Sequence, residues 1–137
     1  MSTVFITGNF CIVGGRRSSD GPHYFAYYQT SLQCSSSETL ADVKIRVYSP
    51  QNESLHRDCT VANVIGRLFA PSKGSYLIDA LSMVPFPSNP EDNDEYEASI
   101  IDDTTAKVWA VGTVLNNAEQ WVNGSSRVFN IAVSNYI

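Results

Sequence analysis

Apolar and polar residues alternate with a period of two along most of this chain. That period places successive side chains on opposite faces and predicts β-strands rather than helices. The first run, Val4–Val13, puts Val4, Ile6, Phe10 and Ile12 on one face. A loop is predicted over Gly14–Pro22, followed by an unusually aromatic second run, His23–Leu32. Ser35-Ser36-Ser37-Glu38 has the form of a helix capping box, but too few residues follow it, so a loop or single turn is expected. The third run, Ala41–Tyr48, alternates throughout: Val43, Ile45 and Val47 should point inward, and Lys44, Arg46 and Tyr48 outward. Strand character resumes over Thr60–Phe69, and Pro71-Ser72-Lys73-Gly74 should turn the chain back into Ser75–Val84 as a hairpin.

Pro85, Pro87 and Pro90 then interrupt the pattern, since each removes a ladder donor, and an acidic run from Glu91 to Glu97 prolongs the break. Residues 86–104 are therefore expected to form an exposed acidic connector. A further strand pair is predicted over 107–115 and 127–136. Three strands share one feature, a glycine centred among apolar residues: Gly8, Gly66 and Gly112. Glycine inside a strand marks a bulge or a close backbone approach, as where a small barrel bends. The expected architecture is one all-β domain of 137 residues: a small antiparallel barrel over 1–85, the connector over 86–104, and an additional C-terminal β-hairpin over 105–137 packed on the barrel.

Composition agrees with a folded domain, at 43% hydrophobic and 17% charged residues. The net charge of −5 excludes a dedicated duplex-DNA binder, which needs a large basic excess to displace counterions. The charge is unevenly spread. Residues 1–85 hold seven basic against six acidic side chains, and 86–137 hold two against eight, so any anion-binding surface belongs to the first part. Cys11, Cys34 and Cys59 are odd in number and widely spaced, which reads as free thiols in a reducing compartment. The amino terminus has no basic segment leading into a long apolar run, so neither signal peptide nor membrane span is expected, and a cytoplasmic or nuclear location follows.

In order and spacing these runs resemble an OB-fold, the five-stranded barrel of single-stranded nucleic-acid-binding proteins of the replication protein A kind. The resemblance covers about residues 3–84. It is carried by the strand around Gly8, the aromatic second strand, the alternating third strand, and above all Val61–Phe69 with Gly66-Arg67 turned through Lys73-Gly74 into 75–84. It departs from that family in lacking a clear helix over 49–59 and in the extra segment beyond 85. The wording of the whole chain, especially Pro85-Phe86-Pro87 before the acidic run, also resembles small proteins of mushroom-forming fungi, a likeness that implies no activity.

The resemblance implies a ligand lying across strands two and three and the flanking loops. Carried over by position, that names Phe25 and Tyr27, or alternatively Tyr24 and Tyr28, on strand two. Lys44, Arg46 and Tyr48 follow on strand three, Arg16 and Arg17 in the first loop, and Lys73 in the last. Rings can stack on bases while Arg and Lys neutralise phosphates. The same residue types also suit plainer roles, as half-buried tyrosines and as charges solvating an outer face. Catalysis has little support: His23 and His56 belong to no nucleophile or metal motif, so a non-enzymatic module without cofactor or metal is expected. Three readings follow: a binding module for single-stranded DNA or RNA; a protein-interaction or self-assembling homo-oligomeric module using Trp109, Trp121 and Tyr136; and a lectin-like glycan-binding barrel.

Overall fold

A computed structural model of the chain describes residues 3–18, 24–33, 40–87, 89–100, 106–115, 117, 119–120, 127–128 and 131–133. The barrel strands are β1 (Thr3–Arg17), β2 (Phe25–Gln33), β3 (Leu40–Tyr48), β4 (Thr60–Ser72) and β5 (Ser75–Pro85). They pair in the order β2-β3-β5-β4-β1, and β1 also pairs with β2, so the sheet closes into a five-stranded ring. Every pair in the ring is antiparallel except β3 and β5, which run parallel, Val43 facing Tyr76 and Val47 facing Ala80. This is the expected small all-β barrel, with one parallel pair in an otherwise antiparallel ring.

Closure depends on β1, whose 15 residues serve two neighbours. Phe5–Ile12 pair with β4, and Val13–Arg17 pair with β2. The changeover falls at a bulge between Val13 and Arg16, where Gly14 adopts a φ of 62° that a side chain would oppose. The expectation of a loop beginning at Gly14 is thereby corrected: the two glycines bend the strand without ending it, and Arg16 and Arg17 are strand residues. The expected turn at 35–38 lies outside the described residues.

The alternation read from the sequence becomes the core. Ile6, Phe10, Ile12, Ala26, Tyr28, Val43, Ile45, Ala62, Val64 and Ile78 fill the ring. Burial of each large aliphatic among them contributes about 1.5–3 kcal/mol. The β4–β5 hairpin turns through Lys73-Gly74, with Ser72 opposite Ser75 and Gly74 at a φ of 79°. Gly66 sits at a second bulge, where a Cβ would lie 2.6 Å from the Asp79 carbonyl oxygen and 2.9 Å from Ala80 Cα.

Between β3 and β4, residues 49–59 form turns without a helix, held to the barrel by hydrogen bonds. Ser49 N–H donates to the Tyr24 carbonyl at 2.9 Å, His56 N–H to Tyr28 Oη at 3.0 Å, and Cys59 N–H to the Ile12 carbonyl at 2.9 Å. The acidic stretch does contain one short helix, α1 (Asn93–Ser99). Asp92 starts it by accepting from Glu95 N–H, and Asp94 and Glu95 complement the positive end of the backbone dipole. Most of its described side chains are exposed, but Tyr96 is buried and its hydroxyl bonds to Val61 on β4.

Beyond the connector, β6 (Lys107–Val111) pairs with Thr3–Thr7 of β1. That part of β1 has no β2 partner, so an unpaired edge is open to it. Past Gly112 the expected hairpin follows: β7 (Thr113–Val114) pairs with β10 (Ile131–Ala132), and β8 (Glu119–Gln120) with β9 (Arg127–Val128). No helix among the described residues is long and apolar enough to cross a membrane.

Gly66→Ala should lower stability by about 1–3 kcal/mol, because the new methyl meets β5 backbone rather than a side chain that can rotate aside. Urea denaturation followed by tryptophan fluorescence checks this. An unchanged midpoint would mean that β4 and β5 separate at this bulge without cost.

Candidate nucleic-acid interface

The registers of the barrel strands align one row of outward side chains around its wall. Arg16 on β1 faces Tyr27 on β2, Tyr27 faces Arg46 on β3, Arg46 faces Asp79 on β5, and Asp79 faces Arg67 on β4. The row then continues through Phe5 on β1 to Trp109 on β6. Three of the guanidinium groups lie over rings, two across neighbouring strands and one on the same strand. The Arg16 guanidinium carbon lies 5.4 Å from the Tyr27 ring centroid, Arg46 is 5.4 Å from Phe25, and Arg67 is 5.7 Å from Phe69.

On one side of this row lie Phe25 and Tyr48, paired across β2 and β3, with Tyr48 62% exposed. On the other side Val13, Gln29, Lys44 and Leu77 form the next row. Lys44 is exposed, and with Gln29, Cys11, Thr30 and Tyr76 it lines a cleft of about 540 Å³. The cleft opens where β1 and β2 part, because their pairing begins only at Val13.

The two alternatives for strand two are separated by burial. Phe25 and Tyr27 are half-buried on the outer wall, whereas Tyr28 points into the core at 2% exposure. Tyr24 is 40% exposed and precedes β2. Arg17, expected beside Arg16, does different work. It faces Ala26, and its guanidinium donates to the backbone carbonyls of Ser49 and Glu53, clamping the turn segment over the barrel's end. Lys73 is exposed in the β4–β5 turn, beside the start of β3 and away from the row. Trp109 is 54% exposed on β6; Trp121 and Tyr136 lie outside the described residues.

Asp79 was not singled out from the sequence, and it organises the row's electrostatics. Its carboxylate takes Arg46 at 3.2 Å and Arg67 at 2.9 Å. Its outward parity in Ser75–Val84 could be read, but not which cations the parallel β3–β5 register would bring against it. Burial opposes its ionisation, yet the hydrogen bonds and charges of Arg46 and Arg67 hold it below the usual carboxylate range. The Asp79 hydrogen bond in turn pushes Arg46 up, against the effect of burial.

Protein-family models, curated proteins and solved structures give no match to this chain.

A carboxyl held below its unfolded value stabilises the fold above that value, and this contribution is lost as pH falls through the folded one. Acidification from about pH 4, the unfolded carboxylate range, should therefore remove the stability that Asp79 supplies. Asp79→Asn should lower the urea midpoint at neutral pH, and the gap to wild type should close in acid. A gap of equal size at both ends of the titration would place the stabilisation elsewhere.

Proposed function

We propose that this chain is a non-enzymatic module that binds single-stranded nucleic acid across the outer wall of β2 and β3. The observation that carries the reading is the lateral row Arg16–Tyr27–Arg46, flanked by Tyr48 on one side and Lys44 on the other. Rings held at fixed spacing among guanidinium groups suit bases that are free to splay and stack, whereas a paired duplex presents phosphates and groove edges. The net charge of −5 favours the same choice, since stacking rather than counterion release must supply most of the affinity. The ring order and the position of this wall also agree with the OB-fold resemblance to proteins of the replication protein A kind, and a cytoplasmic or nuclear setting would supply such strands.

Asp79 tempers the surface. It neutralises charge on Arg46 and Arg67, which leaves Arg16 and Lys44 as the side chains on this wall best placed for phosphate. Binding should therefore be modest, with the shallow salt dependence that two phosphate contacts give.

A labelled oligothymidylate titrated at low salt and followed by fluorescence anisotropy tests the reading. Tyr48→Ala should weaken binding by roughly 1–3 kcal/mol, the worth of one stacked base. Arg16→Ala combined with Lys44→Ala should flatten the log affinity against log salt slope by about 1.4, or about 0.7 for each lost single-strand contact. No binding by the wild type at low salt would refute the function, and unchanged behaviour of both variants would refute the surface.

A second reading, a self-associating module, is favoured by β6. All five of its residues are exposed, with Val108, Trp109 and Val111 at 52–59%, and its described ladder partner is β1 alone. On that reading, light scattering of the wild type gives a multiple of the monomer mass, and Trp109→Ala shifts it toward monomer. A wild-type monomer at high concentration would dismiss it.

A further inference from the structure

Cys11 and Cys59 lie outside the row of rings and cations, Cys11 lining the cleft that Lys44 borders, and the fold brings them together from 48 positions apart in the chain. Cys11 is on β1 opposite Val61, and Cys59 ends the turn segment just before β4, two residues from that partner. Cys59 leaves extended geometry with a φ of 66°, while its N–H remains bonded to the Ile12 carbonyl. Beside it, Gly14 N–H donates to Asp58 Oδ1 at 2.8 Å, so the backbone is pinned to β1 on both sides of the cysteine. Cys59 lies near enough to weigh on the ionisation of the Cys11 thiol, both residues are exposed, and Cys11 also lines the open cleft between β1 and β2. An oxidant can therefore reach the pair without unfolding of the barrel.

We propose that Cys11 and Cys59 are a modification site, a dithiol that closes to an intramolecular disulfide by exchange with a small disulfide such as oxidised glutathione. In the first step a thiolate of the pair attacks one sulfur of oxidised glutathione. One glutathione thiolate leaves, and a mixed disulfide remains on the protein. The second protein thiol, deprotonated, attacks the protein sulfur of that mixed disulfide and expels the second glutathione thiolate. Two protein thiols are oxidised, one glutathione disulfide is reduced to two thiols, and the two protons pass to the leaving thiolates.

Burial, followed by the neighbouring Cys59, pushes the Cys11 thiol up. Because the folded chain already holds the pair together, the bond should form more readily in the native protein than in the unfolded one. By the same linkage it should stabilise the fold. The bond would fasten to β1 the segment whose Ser49 and Glu53 carbonyls receive Arg17.

The test equilibrates reduced full-length protein in glutathione buffers of rising oxidised fraction, with and without denaturing urea. Samples are then quenched in acid, alkylated and digested with trypsin. The three cysteines fall in different peptides, because Arg16 separates Cys11 from Cys34, and Lys44 and Arg57 separate Cys34 from Cys59. The expected result is loss of two alkylatable thiols, a linked Cys11–Cys59 peptide, and a native half-oxidation ratio at least about tenfold less oxidising than in urea. Cys34→Ser should keep this behaviour, and Cys11→Ser and Cys59→Ser should each abolish it. Linkage through Cys34, glutathione adducts alone, no thiol loss, or equal ratios in both conditions would overturn the proposal.

Discussion

The barrel exists because one strand is asked to satisfy two partners at once. β1 offers its hydrogen-bonding edge to β4 over Phe5–Ile12 and to β2 over Val13–Arg17. A straight strand could not turn from one to the other over so short a distance, and an unclosed sheet would expose ladder groups on two edges. The bulge at Gly14-Gly15 resolves the conflict by letting the chain bend and twist without ending. The same bend has two consequences for the surface. It keeps Arg16 in register with Tyr27, and it leaves the first half of β1 without a β2 partner, where β6 adds itself.

Closure also fixes the electrostatics of the outer wall. In a ring of five strands, residues distant in sequence fall into lateral rows, so Arg46, Asp79 and Arg67 meet although they belong to three strands. A carboxylate between two guanidinium groups stabilises the pairing of β3, β5 and β4, and it lowers the free positive charge that the wall presents. Stability and anion affinity therefore pull in opposite directions at Asp79. A wall built only for phosphate would carry a neutral residue at that point, at the cost of two cations repelling across β5.

Much of this was legible in the chain itself. The period-two runs located all five barrel strands; of the faces read from parity, Ile6, Phe10, Ile12, Val43 and Ile45 are core, Val47 packs partly buried against it, and Val4 is half-buried. Local chemistry also placed the Lys73-Gly74 turn. What escaped was non-local. Gly14-Gly15 looked like the start of a loop, because a bulge and a loop share the same residues and only the waiting edge of β2 tells them apart. Arg17 looked like a partner of Arg16, but their adjacent positions on a strand give them different surroundings: Arg16 packs on Tyr27, whereas Arg17 reaches Ser49 and Glu53. The helix at 93–99 had a readable start in Asp92 and Glu95, masked by the acidic composition around it.

The segment 49–59 covers one end of the barrel without a helix. The chain supplies only turns there, which bury little apolar surface of their own. Polar contacts hold them instead: Arg17 to two carbonyls, Tyr28 Oη to His56 N–H, Asp58 to Gly14, and Cys59 to Ile12. Leu55 packs against the core beneath them. Several of these contacts reach β1 at or beside its bulge, so the lid of the barrel and the bend that closes it support one another. An arrangement held mainly by hydrogen bonds at the surface opens more readily than a packed helix. This end of the barrel is thus where a covalent tie between β1 and the turn segment would change the molecule most.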